Sequence, residues 1–282
     1  MAEIVYIEDE KLLQSINKAL DEKPYWPVTV ERIKRLKELS ISGEGIEDLT
    51  GLEYAVNLTN LNLNDNNIKD ISCLRNLSKL EHLNLSKNKI EDVSALSCLK
   101  NLRHLVLNSN KIKDLPCLNE LTELRHLEIQ NNYITDLYGL SKLTEIKLLI
   151  ASENQIRDIS TLIKLTNLKK LDLSDNEIKD ISTLKFMTKI EILEVANNSI
   201  SNISVLKDLK MLTKLKCSPQ YLWVDNFNEL NIINYYGKTI KVNVDLNDIG
   251  KVGDDIYSLR FTDIFTLSND SSVHGFNGSI II

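Results

Sequence analysis

The chain contains few of the residues that catalytic sites and covalently stapled folds require. It has only nine glycines among 282 residues, and no GxSxG, HExxH or glycine-rich phosphate-binding motif occurs. Its four cysteines lie at irregular spacings without a CxxC pair, which excludes a dense disulfide scaffold and gives no reason to expect structural zinc. We therefore predict a protein that is not an enzyme and carries no cofactor.

Long apolar runs and blocks of one charge are missing as well. No stretch approaches the roughly 18 uninterrupted apolar residues of a spanning helix. The net charge is −6 with both signs interspersed, so we expect neither nucleic-acid binding nor membrane insertion. The first residues, MAEIVYIEDE, show neither the basic nor the apolar segment of a signal peptide.

The chain is organised instead by one repeat of fixed period. Aliphatic residues recur every 22 residues and predict nine units, the last incomplete: Leu36, Leu58, Leu80, Leu102, Leu124, Ile146, Leu168, Ile190 and Leu212. A full unit, LTNLNLNDNNIKDISCLRNLSK at 58–79, follows the pattern LxxLxLxxNxIxDIxxLxxLxx. This pattern is typical of a leucine-rich-repeat solenoid, an α/β repeat fold.

Each part of the unit has a predicted place in that fold. Residues 60–64 alternate, so Leu61 and Leu63 point inward from a short strand of a parallel sheet. The outward strand positions form what we call the strand face, which is expected to be concave. The recurrent asparagine, Asn66 here, is predicted to bond backbone groups inside the turn. Residues 68–77 are apolar at spacings of three, which favours 3₁₀ or extended structure on the convex side.

Two further repeat positions carry polar residues with a structural explanation. The aspartate column that includes Asp70 is expected to make Asx-type backbone bonds. Cys73 and Cys117 occupy one position two repeats apart, so strand spacing puts them roughly 10 Å from each other, beyond disulfide reach. Free thiols are the prediction, although the different phase of Cys98 leaves its pairing with either of them open.

The flanking sequences differ from the repeats and are predicted to cap them. Residues 9–22 place four apolar residues on one helical face: Leu12, Leu13, Ile16 and Leu20. Thr29 is a candidate N-cap of a second short helix that runs through Leu36. We expect Trp26 and Trp223 to lie in the cores of the two caps.

These observations give three predicted domains. Residues 1–35 form a helical N-terminal cap, and residues 36–218 form the leucine-rich repeats. Residues 219–282 contain alternating runs separated by Gly, Asn, Asp and Ser, which predict a small all-β unit packed directly on the last repeat.

The segment GIEDLTGLEYAVNLTNLNLNDNNIKDIS after a helical cap, followed by regular repeats with DIS turns, resembles the start of a bacterial internalin. The tail, with NYYGKTIKVNVDL, IYSLRFTD and FNGSIII, is similar to the immunoglobulin-like domain that follows internalin repeats. The resemblance implies a secreted or cell-surface protein, monomeric, that engages a protein partner through the concave face. A host surface protein would be such a partner, in adhesion or virulence.

On the strand face, three of the four histidines share one position in successive repeats: His82, His104 and His126. Strand spacing puts these side chains roughly 5 Å apart, so they could form a divalent-metal site or a patch that protonates at about pH 6. We favour the simpler interpretation that duplication copied a tolerated polar residue. Glu128 is the only carboxylate nearby on this face, so no metal is expected.

A second candidate is an aliphatic patch, since contiguous exposed aliphatic residues are typical of interaction surfaces. It comprises five strand-face positions: Leu148, Ile150, Ile192, Val106 and Ala196. Charged residues would form its polar rim: Lys170, Asp172 and Glu194. A one-residue register slip would instead turn the patch inward. Tyr133, which follows a ladder asparagine, is a candidate for the edge of the interface.

The main alternative is an intracellular scaffold or regulatory subunit, because such repeats also resemble phosphatase regulatory subunits of eukaryotes. The missing signal peptide and the cysteines favour that cytoplasmic interpretation. The immunoglobulin-like tail with its FNGSIII ending favours the extracellular one, which we retain.

Overall fold

The computed structural model describes residues 2–200, 202 and 204–216, together with six short strands between residues 221 and 266. The chain divides into two compact units, 1–148 and 149–282. The first unit begins with two helices, α1 (Glu10–Ala19) and α2 (Val30–Ile33). Its repeat strands follow: β1 (Glu38–Ser40), β2 (Asn60–Asn62), β3 (His82–Asn84), β4 (His104–Val106) and β5 (His126–Glu128).

Helix α1 begins at a strong local signal and buries one face. The Asp9 carboxylate accepts hydrogen bonds from the backbone N–H groups of Lys11 and Leu12, at 2.9 and 3.1 Å. Leu12, Ile16 and Leu20 are buried as predicted. Leu13 is only half-buried because it lies at the border of that face.

Polar contacts attach α1 to the first repeat. The second oxygen of Asp9 accepts from the N–H of Glu47 at 3.0 Å, and the Lys11 ammonium donates to the Glu44 carbonyl at 2.6 Å. Glu44 occupies the place that asparagine holds in the following repeats. The helix is therefore joined to the turn of the first repeat by side-chain to backbone hydrogen bonds.

The prediction that Trp26 is a core residue was wrong. Its side chain is 44% exposed, with the Lys23 ammonium 5.5 Å from the ring centroid. The buried Asn17 amide instead holds the Trp26 carbonyl at 2.9 Å, while Val28 fills the core below. The side chain of Trp223 lies outside the described residues.

The second helix is one turn long and does not reach Leu36. Thr29 is its N-cap residue but makes no side-chain capping bond. The reason is that Thr29 pairs with Ile4 in a short antiparallel bridge, flanked by bonds from the Val5 N–H to Val28 O and from the Val30 N–H to Glu3 O. Leu36 is buried, as its place in the repeat series requires.

The strands of the first unit pair in parallel with an offset of 22 residues. Leu61 of β2 stands opposite Leu39 of β1 and Leu83 of β3, and the same register continues through β4 and β5. The inward leucines of these strands are at most 4% exposed. Strand-face positions such as Asn60 and Asn62 are half-buried. The predicted register is therefore present, without a one-residue slip.

The asparagine ladder has the predicted structural role. The Asn110 amide N–H₂ donates to the carbonyls of Leu85 and Leu107 at 2.9 and 3.0 Å, and its oxygen accepts from the N–H of Ile90 at 3.0 Å. Each ladder asparagine thus joins its own turn to the preceding repeat. Buried members in the first unit are Asn66, Asn88, Asn110 and Asn132.

A feature that the repeat pattern did not reveal is the left-handed residue before each ladder asparagine. These residues have φ between 52° and 60°: Asp65, Lys87, Ser109, Asn131, Glu153, Asp175 and Asn197. None is glycine, and left-handed backbone is costly for most side chains. In each of these seven repeats the next residue is a ladder asparagine whose side chain donates to a carbonyl of its own turn.

The convex side of the first unit consists of short 3₁₀ segments, as the spacing of three predicted. They are Leu52–Tyr54, Ser72–Asn76, Ser94–Cys98, Pro116–Glu120 and Tyr138–Leu140. Asp70 and Asp92 accept backbone bonds from Ser72 and Ser94 at 2.8 and 2.7 Å, which are the predicted Asx-type bonds. Asp114 cannot do the same, because Pro116 has no N–H.

Cys73, Cys98 and Cys117 are free thiols, which resolves the pairing that the sequence left open. Burial raises the pKa of the Cys73 thiol to about 12 and that of Cys117 to about 11. Both thiols therefore stay protonated at neutral pH and act as small, half-buried apolar residues. Cys217 lies outside the described residues.

The second unit continues the same repeat. Its strands are β6 (Leu148–Ile150), which begins at the last residue of the first unit, β7 (Lys170–Asp172), β8 (Ile192–Glu194) and β9 (Lys214–Lys216). Strands β7, β8 and β9 pair in parallel. The 3₁₀ segments are Ser160–Lys164, Ser182–Phe186 and Ser204–Asp208.

Six further strands are antiparallel: β10 (Tyr221–Val224), β11 (Asn234–Tyr235), β12 (Lys238–Thr239), β13 (Ile249–Lys251), β14 (Tyr257–Arg260) and β15 (Ile264–Thr266). Strand β14 pairs with β10 and β13, β11 pairs with β12, and β15 pairs with β9 of the last repeat. The immunoglobulin-like arrangement predicted for 219–282 depends on residues outside the described set. That prediction, like the three domain boundaries, stays untested.

We expect Asn110→Ala to lower the free energy of unfolding by about 3 kcal/mol, because it leaves the buried Ile90 N–H without its acceptor and removes one of the donors to the Leu85 and Leu107 carbonyls. Asn101→Ala is the matched control. Asn101 is exposed and donates only to the Ser78 carbonyl at 2.8 Å, so its loss should cost less than about 1 kcal/mol. Urea denaturation of both variants measures the difference, and equal losses would contradict a dominant role for the ladder.

Gly139 lies where an added Cβ would collide with the Leu115 carbonyl. The corresponding residue in the preceding repeat, Cys117, faces the equivalent carbonyl of Val93 with its sulfur at 3.1 Å. We expect Gly139→Ala to destabilise the protein by about 3 kcal/mol through overpacking. The reciprocal change Ala95→Gly, at the same position of the third repeat, should cost only about 1 kcal/mol. Thermal unfolding measures both losses of stability. A smaller loss for Gly139→Ala than for Ala95→Gly would contradict this expectation and show that the Leu115 carbonyl moves away from the added methyl group.

Candidate partner-binding face

The strand face of the first unit begins with a polar network that satisfies its own hydrogen bonds. The amides of Asn62 and Asn64 donate to the hydroxyls of Ser40 and Ser42 at 3.2 and 3.0 Å. The hydroxyl of Ser86 donates to the Asn64 oxygen at 2.7 Å. These bonds link successive repeats, so this part of the face is preorganised.

A groove of about 780 Å³ lies between α1 and this face. Ser15, Lys18 and Ala19 line it from the helix, and side chains of β1 to β4 form its floor. His82 and His104 take part in that floor together with Asn60, Asn62, Asn84 and Val106. The groove is therefore lined mainly by neutral polar groups.

The three histidines form a continuous column in the predicted register. His82 stands opposite His104 on β4, and His104 stands opposite His126 on β5. The rings of His82 and His104 stack with centroids 4.4 Å apart and an angle of 20°. The rings of His104 and His126 meet edge to face at 4.2 Å and 73°. The predicted proximity of about 5 Å is confirmed.

Burial and positive neighbours lower the pKa of two of these imidazoles. Desolvation is the largest cause for His104, followed by the other two histidines and the guanidinium groups of Arg125 and Arg103. For His126 desolvation again comes first, then the Lys147 ammonium, while Glu128 acts in the opposite direction. Both imidazoles are thus neutral at pH 7, and they can donate or accept hydrogen bonds.

The stacked pair of the column is not arranged as a metal site. The rings of His82 and His104 lie in nearly parallel planes, whereas a ligand set directs its lone pairs to one centre. Among the described residues, no group of three or more His, Cys, Asp or Glu side chains is placed to bind a metal.

Three cations that sequence reasoning missed border this column. Arg103, Arg125 and Lys147 each directly precede the outward residue of their strand, and all three are exposed. Arg103 pairs with Glu81 at 3.5 Å. Neither Arg125 nor Lys147 has an ion pair within the part of the chain that the structure describes. The repeat position before the strand was the signal available in the sequence.

Other predicted site residues of the first unit have definite places. Glu128 is half-buried and accepts a hydrogen bond from the Asn108 amide at 2.8 Å. Val106 and Leu148 are half-buried on the strand face. Tyr133 lies in the turn after the ladder asparagine, where its side chain is 49% exposed. It is available to a partner but does not belong to a strand.

The aliphatic patch was predicted to be exposed, and for two of its members this was wrong. Ile150 is only 9% exposed and Ala196 is fully buried. Side chains on adjacent strands are only about 5 Å apart and cover a short or centrally placed neighbour, which a column map cannot show. Ile192 keeps a half-buried place on the strand face of the second unit.

The predicted rim residues of the second unit are partly engaged within the protein. Ile192 stands between Lys170 and Lys214 on the neighbouring strands. The Glu194 carboxylate lies 3.1 Å from the Lys214 ammonium and 3.9 Å from that of Lys216. Asp172 accepts a bond from the Ser174 N–H at 2.9 Å. Lys214 and Lys216, which the prediction of the rim omitted, therefore belong to it.

No helix in the described ranges is both long and apolar enough to cross a membrane.

Models of the leucine rich repeat match residues 56–112, and models of two leucine-rich-repeat copies match residues 100–142 and 144–186. No curated protein sequence matches the chain significantly.

One similar structure is the leucine-rich-repeat ectodomain of the plant membrane receptor kinase GASSHO1/SCHENGEN3 from Arabidopsis thaliana, in complex with CASPARIAN STRIP INTEGRITY FACTOR 2. It shares 25% identity with a TM-score of 0.59, over 69% of this chain and 26% of that one. The likeness extends over only a quarter of the plant protein.

Two internalins from Listeria monocytogenes are more similar. The structure of inlF has a TM-score of 0.72 and 33% identity over 79% of this chain and 73% of that chain. The structure of internalin C2 has a TM-score of 0.72 and 32% identity over 74% of this chain and 93% of that chain. On this identity over most of both relatives, the chain belongs to the internalin family of leucine-rich-repeat proteins.

Proposed function

We propose that this chain is a non-catalytic binding protein that engages a protein partner through the strand faces of its repeats. Leucine-rich-repeat proteins of the internalin type are protein-interaction modules, which supports the general part of this proposal. The observation that carries the choice of face is its side-chain content. The inward leucines are buried in the core, whereas Val106, Leu148, Ile192 and the imidazole groups of the strand face remain partly exposed.

In the first unit, the proposed contact residues are Val106, Leu148, Glu128 and the histidine column. In the second unit they are Ile192, with Lys170, Asp172 and Glu194 around it. Half-buried aliphatic groups beside charged groups have the composition of an interface, with an apolar centre and a polar rim. Tyr133 adds an exposed aromatic ring, of the kind enriched among residues that dominate binding energy.

We further propose that the protein is bacterial, secreted or attached to the cell surface, and acts on a host surface protein in adhesion or virulence. The similarity to internalins supports this setting. The plant ectodomain, solved with a bound factor, supports the use of this fold in extracellular recognition. The competing proposal of a cytoplasmic scaffold is retained as an outcome of the test.

The experiment is a pull-down from host-cell surface extracts and from bacterial cytosol, with Leu148→Asp and Ile192→Asp made separately. A buried charge costs an interface several kcal/mol, so we expect each strand-face variant to weaken binding by about tenfold or more. Ile163→Asp is the matched control, because Ile163 is exposed on a 3₁₀ segment away from the strands.

Circular dichroism and urea denaturation must first show that all three variants fold equally well. Retention of a surface protein by the wild type and by Ile163→Asp alone supports the proposal. Equal retention by all variants would refute the choice of face. A partner found only in cytosol would refute the extracellular setting.

A further inference from the structure

The histidine column of the first unit lies in a positive local field. Arg125 and Lys147 are exposed beside His104 and His126, and neither makes an ion pair among the described residues. The third cation, Arg103, pairs with Glu81 through two exposed side chains at 3.5 Å, a geometry that contributes little energy. Two cations are therefore available to an incoming anion.

Among the described residues of β3 to β5, Glu128 is the one carboxylate on the strand face, and it accepts an internal hydrogen bond. The donor is the Asn108 amide, and Glu128 lies two residues after His126 on β5. Farther along the groove, Lys18 of α1 provides one positive charge, and Glu38 of β1 and Glu44 provide two negative charges. The remaining groups that face the imidazoles are neutral amides, hydroxyls and Val106.

We propose that the strand face of the first unit binds an acidic segment of its protein partner across His104, His126, Arg125 and Lys147, and takes up protons as it does so. This inference rests on the proposed function, because it assumes that this face binds protein. The cations would form ion pairs with carboxylates at the edge of the face. The imidazoles of His104 and His126, which meet edge to face, would donate hydrogen bonds to the same segment at its centre.

The surrounding charges favour separated carboxylates over a dense polyanion. Glu123 and Glu145 precede Arg125 and Lys147 by two residues, and both are exposed. Together with Glu81 they place negative charge beside the three cations and would repel a continuous row of sulfates or phosphates. Aspartate or glutamate side chains spaced along an extended peptide can approach each cation separately.

The sign of the proton linkage follows from the present environment of the imidazoles. Burial and neighbouring cations hold the pKa of His104 and of His126 below the ordinary value, so both are neutral in the unbound protein at pH 7. A bound carboxylate favours the charged imidazole and raises its pKa. Binding must therefore tighten as the pH falls through the range between the bound and the unbound pKa.

The test uses a synthetic peptide that alternates aspartate and serine, with the matching lysine and serine peptide as control. The chain has only four histidines, so the imidazole resonances can be titrated individually by NMR and assigned with single His→Asn variants. Asn60 occupies the same column one repeat earlier, which makes asparagine a compatible replacement.

With the acidic peptide bound, we expect the titration midpoints of His104 and His126 to rise by about one unit each. The affinity should then increase by up to about tenfold per imidazole between about pH 7.5 and about pH 5.5, where the peptide aspartates remain ionised. The double change His104→Asn with His126→Asn should remove most of this pH dependence.

Arg125→Gln with Lys147→Gln should weaken binding of the acidic peptide about tenfold at both pH values. The matched control is Arg75→Gln with Lys142→Gln, which removes two exposed cations from the convex side. The control should bind as the wild type does. Equal weakening by both pairs would show only a response to net charge and would refute the proposed site.

Other outcomes also overturn the inference. They are unchanged histidine midpoints in the presence of the acidic peptide, tighter binding of the lysine peptide, or displacement of the acidic peptide by a lower concentration of heparin. These results are independent of the pull-down. If Leu148→Asp loses the partner but the histidine titration midpoints do not move with the acidic peptide, the inference fails and the proposed function stands. If the midpoints move but Leu148→Asp still binds the partner, the proposed function alone is refuted.

Discussion

Each repeat depends on the hydrogen bonds that its neighbour supplies. A strand of three residues and a 3₁₀ segment of five cannot satisfy their own backbone groups or bury their own leucines. The ladder asparagines connect each turn to the repeat before it, as Asn66 does through the carbonyl of Ile41 and the N–H of Ile46, at 2.9 and 3.0 Å. Buried amides with all their partners make the stacking of repeats specific in register as well as favourable in energy.

This constraint determines which side chains remain for function. The inward leucines and the asparagines are fixed by stacking, and the aspartates of the convex side are used in Asx-type bonds, as Asp180 is with Ser182 at 2.8 Å. The outward strand positions carry no such duty, so they can vary from repeat to repeat without loss of the fold. Histidines and an isolated valine at these positions, with Arg125 and Lys147 directly before two of the strands, leave side chains that a partner can contact.

Much of the architecture was predictable because a period of 22 residues repeats both the sequence and the local physics. The strand register, the 3₁₀ segments, the ladder and the proximity of the histidines all follow from equivalent positions in successive units. The caps were less predictable because nothing repeats there. Trp26 is exposed because Asn17 holds its backbone and not its ring. The helix predicted to run to Leu36 ends at Ile33, after which Arg35 and Leu36 donate to the carbonyls of Arg32 and Ile33 in tighter turns.

The sequence by itself determined the repeat and the inward and outward sets of residues, and it excluded a disulfide between Cys73 and Cys117, whereas the structure showed that Cys98 pairs with neither. Periodicity fixes direction relative to the sheet, and direction is a local property. Only the tertiary structure decided how exposed each outward residue is, that Ile150 and Ala196 are covered, and that Arg125 and Lys147 lack ion-pair partners among the described residues. Exposure and charge pairing depend on the size and reach of side chains on neighbouring strands, which lie 22 residues away in sequence and about 5 Å away in space.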